Sequence, residues 1–197
     1  MTLLQHELTD FKVNAFQNNE FHEVTKADVL GHWSLFFFYP ADFTFVCPTE
    51  LEDLARNYAK FKEIGCEVYS VSCDTHFVHK AWHDANEKIA KIQYPMLADP
   101  TALLAKDLDT YNEVDGMAER GDFIVSPEGK VVAYEVISSN VAAMPKNCYA
   151  VCKLLSSSTN MAIRFALPTG LQARTLLNLA LILLVNCDRR LTDGLSS

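Results

Sequence analysis

An unbroken apolar run at Leu35, Phe36, Phe37 and Phe38 ends at Tyr39-Pro40, and a short loop later a helical pattern begins at Cys47-Pro48, with Leu51, Leu54, Ala55 and Tyr58 recurring at helical spacing. A run without alternation fits a strand buried on both faces of a sheet. Pro48 suits the first helical position, where its missing N–H would have no intrahelical partner anyway. A buried strand therefore delivers the chain to a helix N-terminus, and Cys47 sits there. Unpaired backbone N–H groups and the positive end of the helix dipole favour negative charge at that point, and the thiolate is the attacking form of cysteine. A cysteine in an arbitrary place more often packs as a small apolar side chain. This placement makes Cys47 a candidate nucleophile.

The spacing Pro40-x-x-x-Thr44-x-x-Cys47 resembles the motif in which the peroxiredoxins carry their peroxide-reducing cysteine. The wording FFFYPADFTFVCPTE, residues 36–50, resembles still more closely the bacterial alkyl hydroperoxide reductase branch of that family. The resemblance implies a task for each residue: Thr44 hydrogen-bonds the peroxide, Pro40 covers the thiolate from water, and Glu50 orients an arginine across the pocket. It also implies which arginine, because Met117-Ala118-Glu119-Arg120-Gly121-Asp122-Phe123 matches the place where peroxiredoxins supply one. Its guanidinium would stabilise the thiolate and the charge developing on the leaving oxygen, and it does not lose its proton. From position alone Arg120 reads as a solvated loop arginine.

With 197 residues, 49% of them hydrophobic, 21% charged and a formal net charge of −8, the chain has the profile of one soluble domain with an adequate core and gives no sign of nucleic-acid binding. The opening MTLLQHELTDF has no basic segment leading into an apolar one, so no secretory signal and a cytoplasmic location are expected. The six cysteines, Cys47, Cys66, Cys73, Cys148, Cys152 and Cys187, contain no C-x-x-C pair, which argues against a dithiol site of the thioredoxin type and against a zinc knuckle. In a reducing cytosol they start as thiols.

Residues 1–32 read as short strands or hairpins. A strand at 33–38 and a helix from Cys47 to about Ile64 follow, then a second strand over Cys66–Ser72, parallel to the first because a helix connects them. Asp74-Thr75 caps a helix running to about Ile92, Tyr94–Leu97 gives a third strand, and Asp99-Pro100-Thr101 opens another helix. Residues 109–119 read as a loop, and residues 121–125 and 130–137 as a hairpin. His76, His79 and His83 share a helix face, but no cysteine or carboxylate at ligand spacing completes a metal site, and a structural role is preferred. Trp82 is expected in the core or at a subunit contact, and Cys66 and Cys73 are expected to pack. The order is that of an α/β protein with a central, mainly parallel sheet, an antiparallel hairpin edge and flanking helices. The thioredoxin-like fold of the peroxiredoxins has this form.

At about residue 140 the chain changes character. Residues 1–140 carry 11 basic and 23 acidic side chains, and residues 141–197 carry 6 and 2. The apolar decamer Leu176–Val185 is too short to span a membrane and lacks usable helical amphipathicity, so it reads as sticky. The genetic code offers an explanation. Val141–Cys148 can be encoded so that restoring a single G gives V-G-R-N-A-E-E-L, which resembles the start of the family's last helix; Lys153–Thr169 can then yield a segment containing V-C-P, and Leu177–Cys187 a family-like C-terminus followed by a stop. The expected organisation is a peroxiredoxin domain over 1–140 and a frameshifted segment over 141–197.

The resemblance implies a thiol-dependent peroxidase that uses no metal and no organic cofactor. Cys47 attacks hydrogen peroxide or an organic hydroperoxide and becomes a sulfenic acid. A resolving cysteine from a partner's C-terminal segment condenses with it, and thioredoxin or a flavoprotein disulfide reductase reduces the disulfide. That resolving cysteine is missing, since Val-Cys-Pro is read here as Phe165-Ala166-Leu167. Cys148, Cys152 or Cys187 would replace it only by accident of geometry. Dimers and rings of five dimers are implied by the family, weakened here by the altered tail; no membrane partner is implied. Two other readings stand beside this one. One is a catalytically crippled relative acting as a redox-sensitive binding or holdase-like protein. The other is an unrelated Cys-His thiol enzyme such as an acyl transferase, disfavoured because no motif places a histidine near Cys47.

Overall fold

The computed structural model describes residues 2–137 and 151–153. Its centre is the strand expected from the apolar run, β3 (Trp33–Phe38), buried at every position. Successive side chains of a strand point to opposite faces. Leu35 and Phe37 face a core with Leu51, Leu54 and Trp82, while Phe36 and Phe38 face a second core with Phe11, Val71, Leu104 and Phe123. Both faces are covered, which is why the run does not alternate. Each such side chain taken out of water contributes about 1.5–3 kcal/mol.

Around β3 lie β1 (Lys12–Gln17), β2 (Glu20–Thr25), β4 (Cys66–Ser72), β5 (Met96–Ala98), and, later in the chain, the short β6 (Tyr111–Asn112) and β7 (Met117–Ala118), then β8 (Arg120–Val125) and β9 (Val131–Ile137). The main sheet runs β2-β1-β5-β4-β3-β8-β9. Its β5-β4-β3 centre is parallel, as the β-α-β order requires. The four outer pairings are antiparallel. Parallel pairing is thus confined to the middle, because β1 and β8 enter from hairpins. The first hairpin turns at Asn18-Asn19, both with positive φ (49° and 66°), the geometry that a two-residue turn between twisted strands demands.

The helices are α1 (Lys26–Val29), α2 (Cys47–Glu63), α3 (His76–Ala85) and α4 (Leu103–Asp107). The third helix is shorter than expected from sequence. Asn86 is extended, and its side-chain oxygen accepts the N–H groups of Lys88 and Ile89 at 2.9 and 3.3 Å, so a separate 3-10 turn, Ile89–Lys91, replaces the last helical turns. The expected loop at 109–119 holds a small antiparallel pair, β6 with β7. Trp82 is in the core. The expected boundary at 140/141, Cys148, Cys187, the apolar decamer and Phe165–Leu167 lie outside the described residues.

Candidate active site

Three elements converge on Cys47. β3 ends at Phe38, Tyr39 and Pro40 are buried, and the loop then turns through Phe43, whose φ of 57° is uncommon for a bulky side chain. The loop leads into α2, with Cys47 as its first residue and Pro48 in the first turn. β8 runs antiparallel to β3 with Phe38 opposite Gly121, so Arg120, the preceding residue, stands at the end of β3 from which the loop departs. Arg120 is therefore the first strand residue and buried, where position alone suggested a solvated loop. A side chain at Gly121 would place its Cβ 2.8 Å from the Phe123 ring and 3.2 Å from the Thr110 methyl group, so any larger residue beside Arg120 would displace the packed Phe123 ring.

The Arg120 Nη1 group donates to the Cys47 Sγ at 3.3 Å and also to the Glu50 carboxylate Oε2. All three side chains are almost fully buried. Glu50 is one turn along α2 from Cys47 and holds the guanidinium where it meets the sulfur. Two charges removed from water in this way are retained only when paired and hydrogen-bonded, as these are. Thr44 is half-buried on the loop, and its hydroxyl donates to the Ala41 carbonyl at 3.0 Å, which leaves its oxygen lone pairs as acceptors. The structure brings Cys47, Glu50 and Arg120 into contact, and places Pro40 and Thr44 on the loop that precedes them.

A second set of residues holds that loop and was not legible in the sequence. The Tyr39 hydroxyl donates to Asp42 Oδ1 at 2.7 Å, and His79 Nδ1 lies 2.8 Å from Asp42 Oδ2. His79 Nε2 meets the Leu97 carbonyl oxygen at 3.1 Å, and the Asp42 N–H donates to Asp74 Oδ2 at 2.9 Å. Burial, with the Asp42 carboxylate adjacent, pushes the Tyr39 hydroxyl well above its ordinary pKa. His79 is therefore a buried clamp between α3, the loop and β5. His76 stands against Phe21, and His83 against Phe16. Among the described residues no histidine hydrogen-bonds Cys47, and no cluster suited to a metal ion occurs. No local pattern could have found it: the 37 positions between Asp42 and His79 carry no motif that links the two.

A thiol at the head of the helix that follows the central strand of a mixed sheet, with a buried arginine donating to its sulfur, is the arrangement of a thioredoxin-like protein. Comparison with known proteins agrees. Residues 4–134 match the model of the AhpC/TSA family. Alkyl hydroperoxide reductase C of Bacillus subtilis is 50% identical over 147 residues, 75% of this chain and 79% of the relative, and that of Salmonella typhimurium is 52% identical over 141 residues, 72% and 75%. The crystal structure of Enterococcus faecalis AhpC superposes with a TM-score of 0.79 at 45% identity, over 86% of this chain and 99% of that one. Plasmodium vivax 2-Cys peroxiredoxin, reduced, gives 0.75 at 25% identity, over 86% and 89%. The chain belongs to the AhpC/TSA family, and its fold is the thioredoxin-like fold of the peroxiredoxins.

Proposed function

We propose that the chain is a thiol peroxidase that reduces hydrogen peroxide and organic hydroperoxides through Cys47. The observation that carries this reading is the buried Arg120 guanidinium, held by Glu50 and donating to the Cys47 sulfur at 3.3 Å. The Cys47 thiolate attacks the terminal oxygen of the hydroperoxide in line with the O–O bond. That bond breaks, water or an alcohol leaves, and Cys47 becomes a sulfenic acid. Arg120 stabilises the negative charge on sulfur and the charge passing to the leaving oxygen. Glu50 positions Arg120, Thr44 offers its oxygen to the peroxide hydrogen, and Pro40 shields the sulfur. The names of the relatives, alkyl hydroperoxide reductase C and 2-Cys peroxiredoxin, support the substrate class.

The same reading assigns the reductant to thioredoxin or a flavoprotein disulfide reductase, the location to the cytoplasm and the assembly to a weakened form of the dimer or decamer of the family. No helix among the described residues is long and apolar enough to cross a membrane. The domain reading, a peroxiredoxin domain over 1–140 and a frameshifted segment beyond, is supported by matches to relatives that span only 141–147 residues of the chain. The gene sequence tests it: a single inserted base near codon 141 must restore a family-like C-terminus.

Peroxide consumption with an added small thiol tests the activity. Rapid loss of hydrogen peroxide that is absent in Cys47→Ser, together with no cleavage of an activated ester, is expected. Ester cleavage without peroxide loss would instead identify a thiol acyl transferase, and neither reaction would leave the crippled, binding-only relative.

A further inference from the structure

Cys66 opens β4, and its Sγ lies 3.8 Å from the Sγ of Cys152, which belongs to the helical segment 151–153. Both side chains are buried, and both sit in the apolar core with Trp33, Phe61, Val68 and Ile124. The two residues are 86 positions apart, so the fold, and no local turn, brings them into van der Waals contact. They are remote from Cys47. At a rise of about 1.5 Å per residue, the length of α2 separates Cys47 from its other end by about 25 Å, and Cys66 follows that end directly. Neither thiol can reach the Cys47 sulfur within one chain. They can reach each other: the gap between the sulfurs must close by only about 2 Å to reach the length of a disulfide, roughly 2.05 Å.

We propose that Cys66 and Cys152 form a second redox site, a buried dithiol that hydroperoxides oxidise to an intramolecular disulfide, fastening residues 151–153 to β4. One cysteine, as thiolate, attacks the terminal oxygen of the hydroperoxide; the O–O bond breaks, and an alcohol or water departs with a proton from solvent. The sulfenic acid so formed is attacked by the sulfur of the second cysteine; the S–S bond forms, the S–O bond breaks, and the hydroxyl leaves as water with the second thiol's proton. Two thiols and one hydroperoxide thus give one disulfide, one alcohol or water, and one further water, a two-electron oxidation. Oxidant enters by local opening of the 151–153 segment, so this site reacts more slowly than Cys47. The site does not depend on Cys47 being catalytic.

The full chain carrying Cys47→Ser is treated with excess hydrogen peroxide under native conditions. Remaining thiols are alkylated after denaturation, and the chain is cut with chymotrypsin, which cleaves after Tyr69 and Tyr149 and so separates Cys66 from Cys73 and Cys148 from Cys152. Mass spectrometry is expected to show the Cys66 peptide linked to the Cys152 peptide, both thiols disappearing together over minutes and returning with dithiothreitol. Thermal melting is expected to rise on oxidation, and the rise to vanish when Cys152→Ala is added. The same mapping on the unaltered chain must show the same link, so the result does not hang on one variant folding. Alkylated Cys66 and Cys152 after oxidant, their separate conversion to sulfinic acids, or a link from either to another cysteine would overturn the proposal.

Discussion

Arg120 and Cys47 are 73 residues apart in the chain and 3.3 Å apart in the fold, and in the proposed function their contact is the smallest unit on which activity rests. Arg120→Lys keeps the charge but loses the planar fork that meets sulfur and carboxylate together. We expect oxidation of Cys47 by peroxide to slow by about 100-fold or more, the scale of losing one donor aimed at developing charge, as read by rapid mixing. A second cysteine gives a contrast. Burial, reinforced by the Asp99 and Asp74 carboxylates, pushes the Cys73 thiol up to about 11. The unfolded thiol ionises near about 8.5, so the folded state binds more protons across the interval. Stability from this group is complete below the unfolded value and is lost as pH rises towards the folded one. Alkylation of the native chain followed by peptide mapping should therefore spare Cys73 at mildly alkaline pH and reach it only in strong alkali. The proposed nucleophile is legible from the sequence because helix start and motif coincide at Cys47. Arg120 was legible only through resemblance, since nothing local marks a buried arginine at the first residue of a strand.

The loop between β3 and α2 has no regular hydrogen bonding of its own and is held by side chains from other elements. His79 from α3 meets Asp42 on the loop and the Leu97 carbonyl on β5. His79→Leu removes one of the hydrogen-bond partners of the buried Asp42, so we expect a loss of about 1–3 kcal/mol in stability by urea titration, and slower oxidation of Cys47 even where the chain is fully folded. A substitution acting on stability alone would leave the rate at low denaturant unchanged. Elements with a strong pattern are legible in the sequence: β3 from its apolar run, α2 from its spacing and Pro48, the final hairpin from Ser126-Pro127-Glu128-Gly129. The premature end of α3 is not, because the Asn86 side chain competes for backbone N–H groups that the apolar pattern assigns to a helix. The sheet's outer antiparallel pairings, too, depend on which strand edges meet. Periodicity within a strand does not encode that.

For the molecule as a whole, covered apolar surface explains the stability of the described part, and the exposed apolar residues near the site raise a question of assembly. Phe43, Phe45 and Val46 are exposed on the loop before Cys47, and Phe45 is 99% exposed. Apolar side chains gathered beside a site favour association between copies. On the proposed domain reading, the segment by which the family completes its dimer contact is replaced after about residue 141. We therefore expect light scattering to show dimers or smaller species that dissociate on dilution, and a stable decamer would contradict this. The identity of the chain as a peroxidase turns on a more direct result. The measurement is anaerobic stopped-flow oxidation of the purified chain by stoichiometric hydrogen peroxide, followed by intact mass and a non-reducing gel beside Cys47→Ser. Rapid oxidation confined to Cys47 and ending in a sulfenic acid, with no disulfide to Cys47, is the predicted result. No rapid phase, or one that survives in Cys47→Ser, would contradict the assignment of Cys47 and Arg120 as the reacting pair.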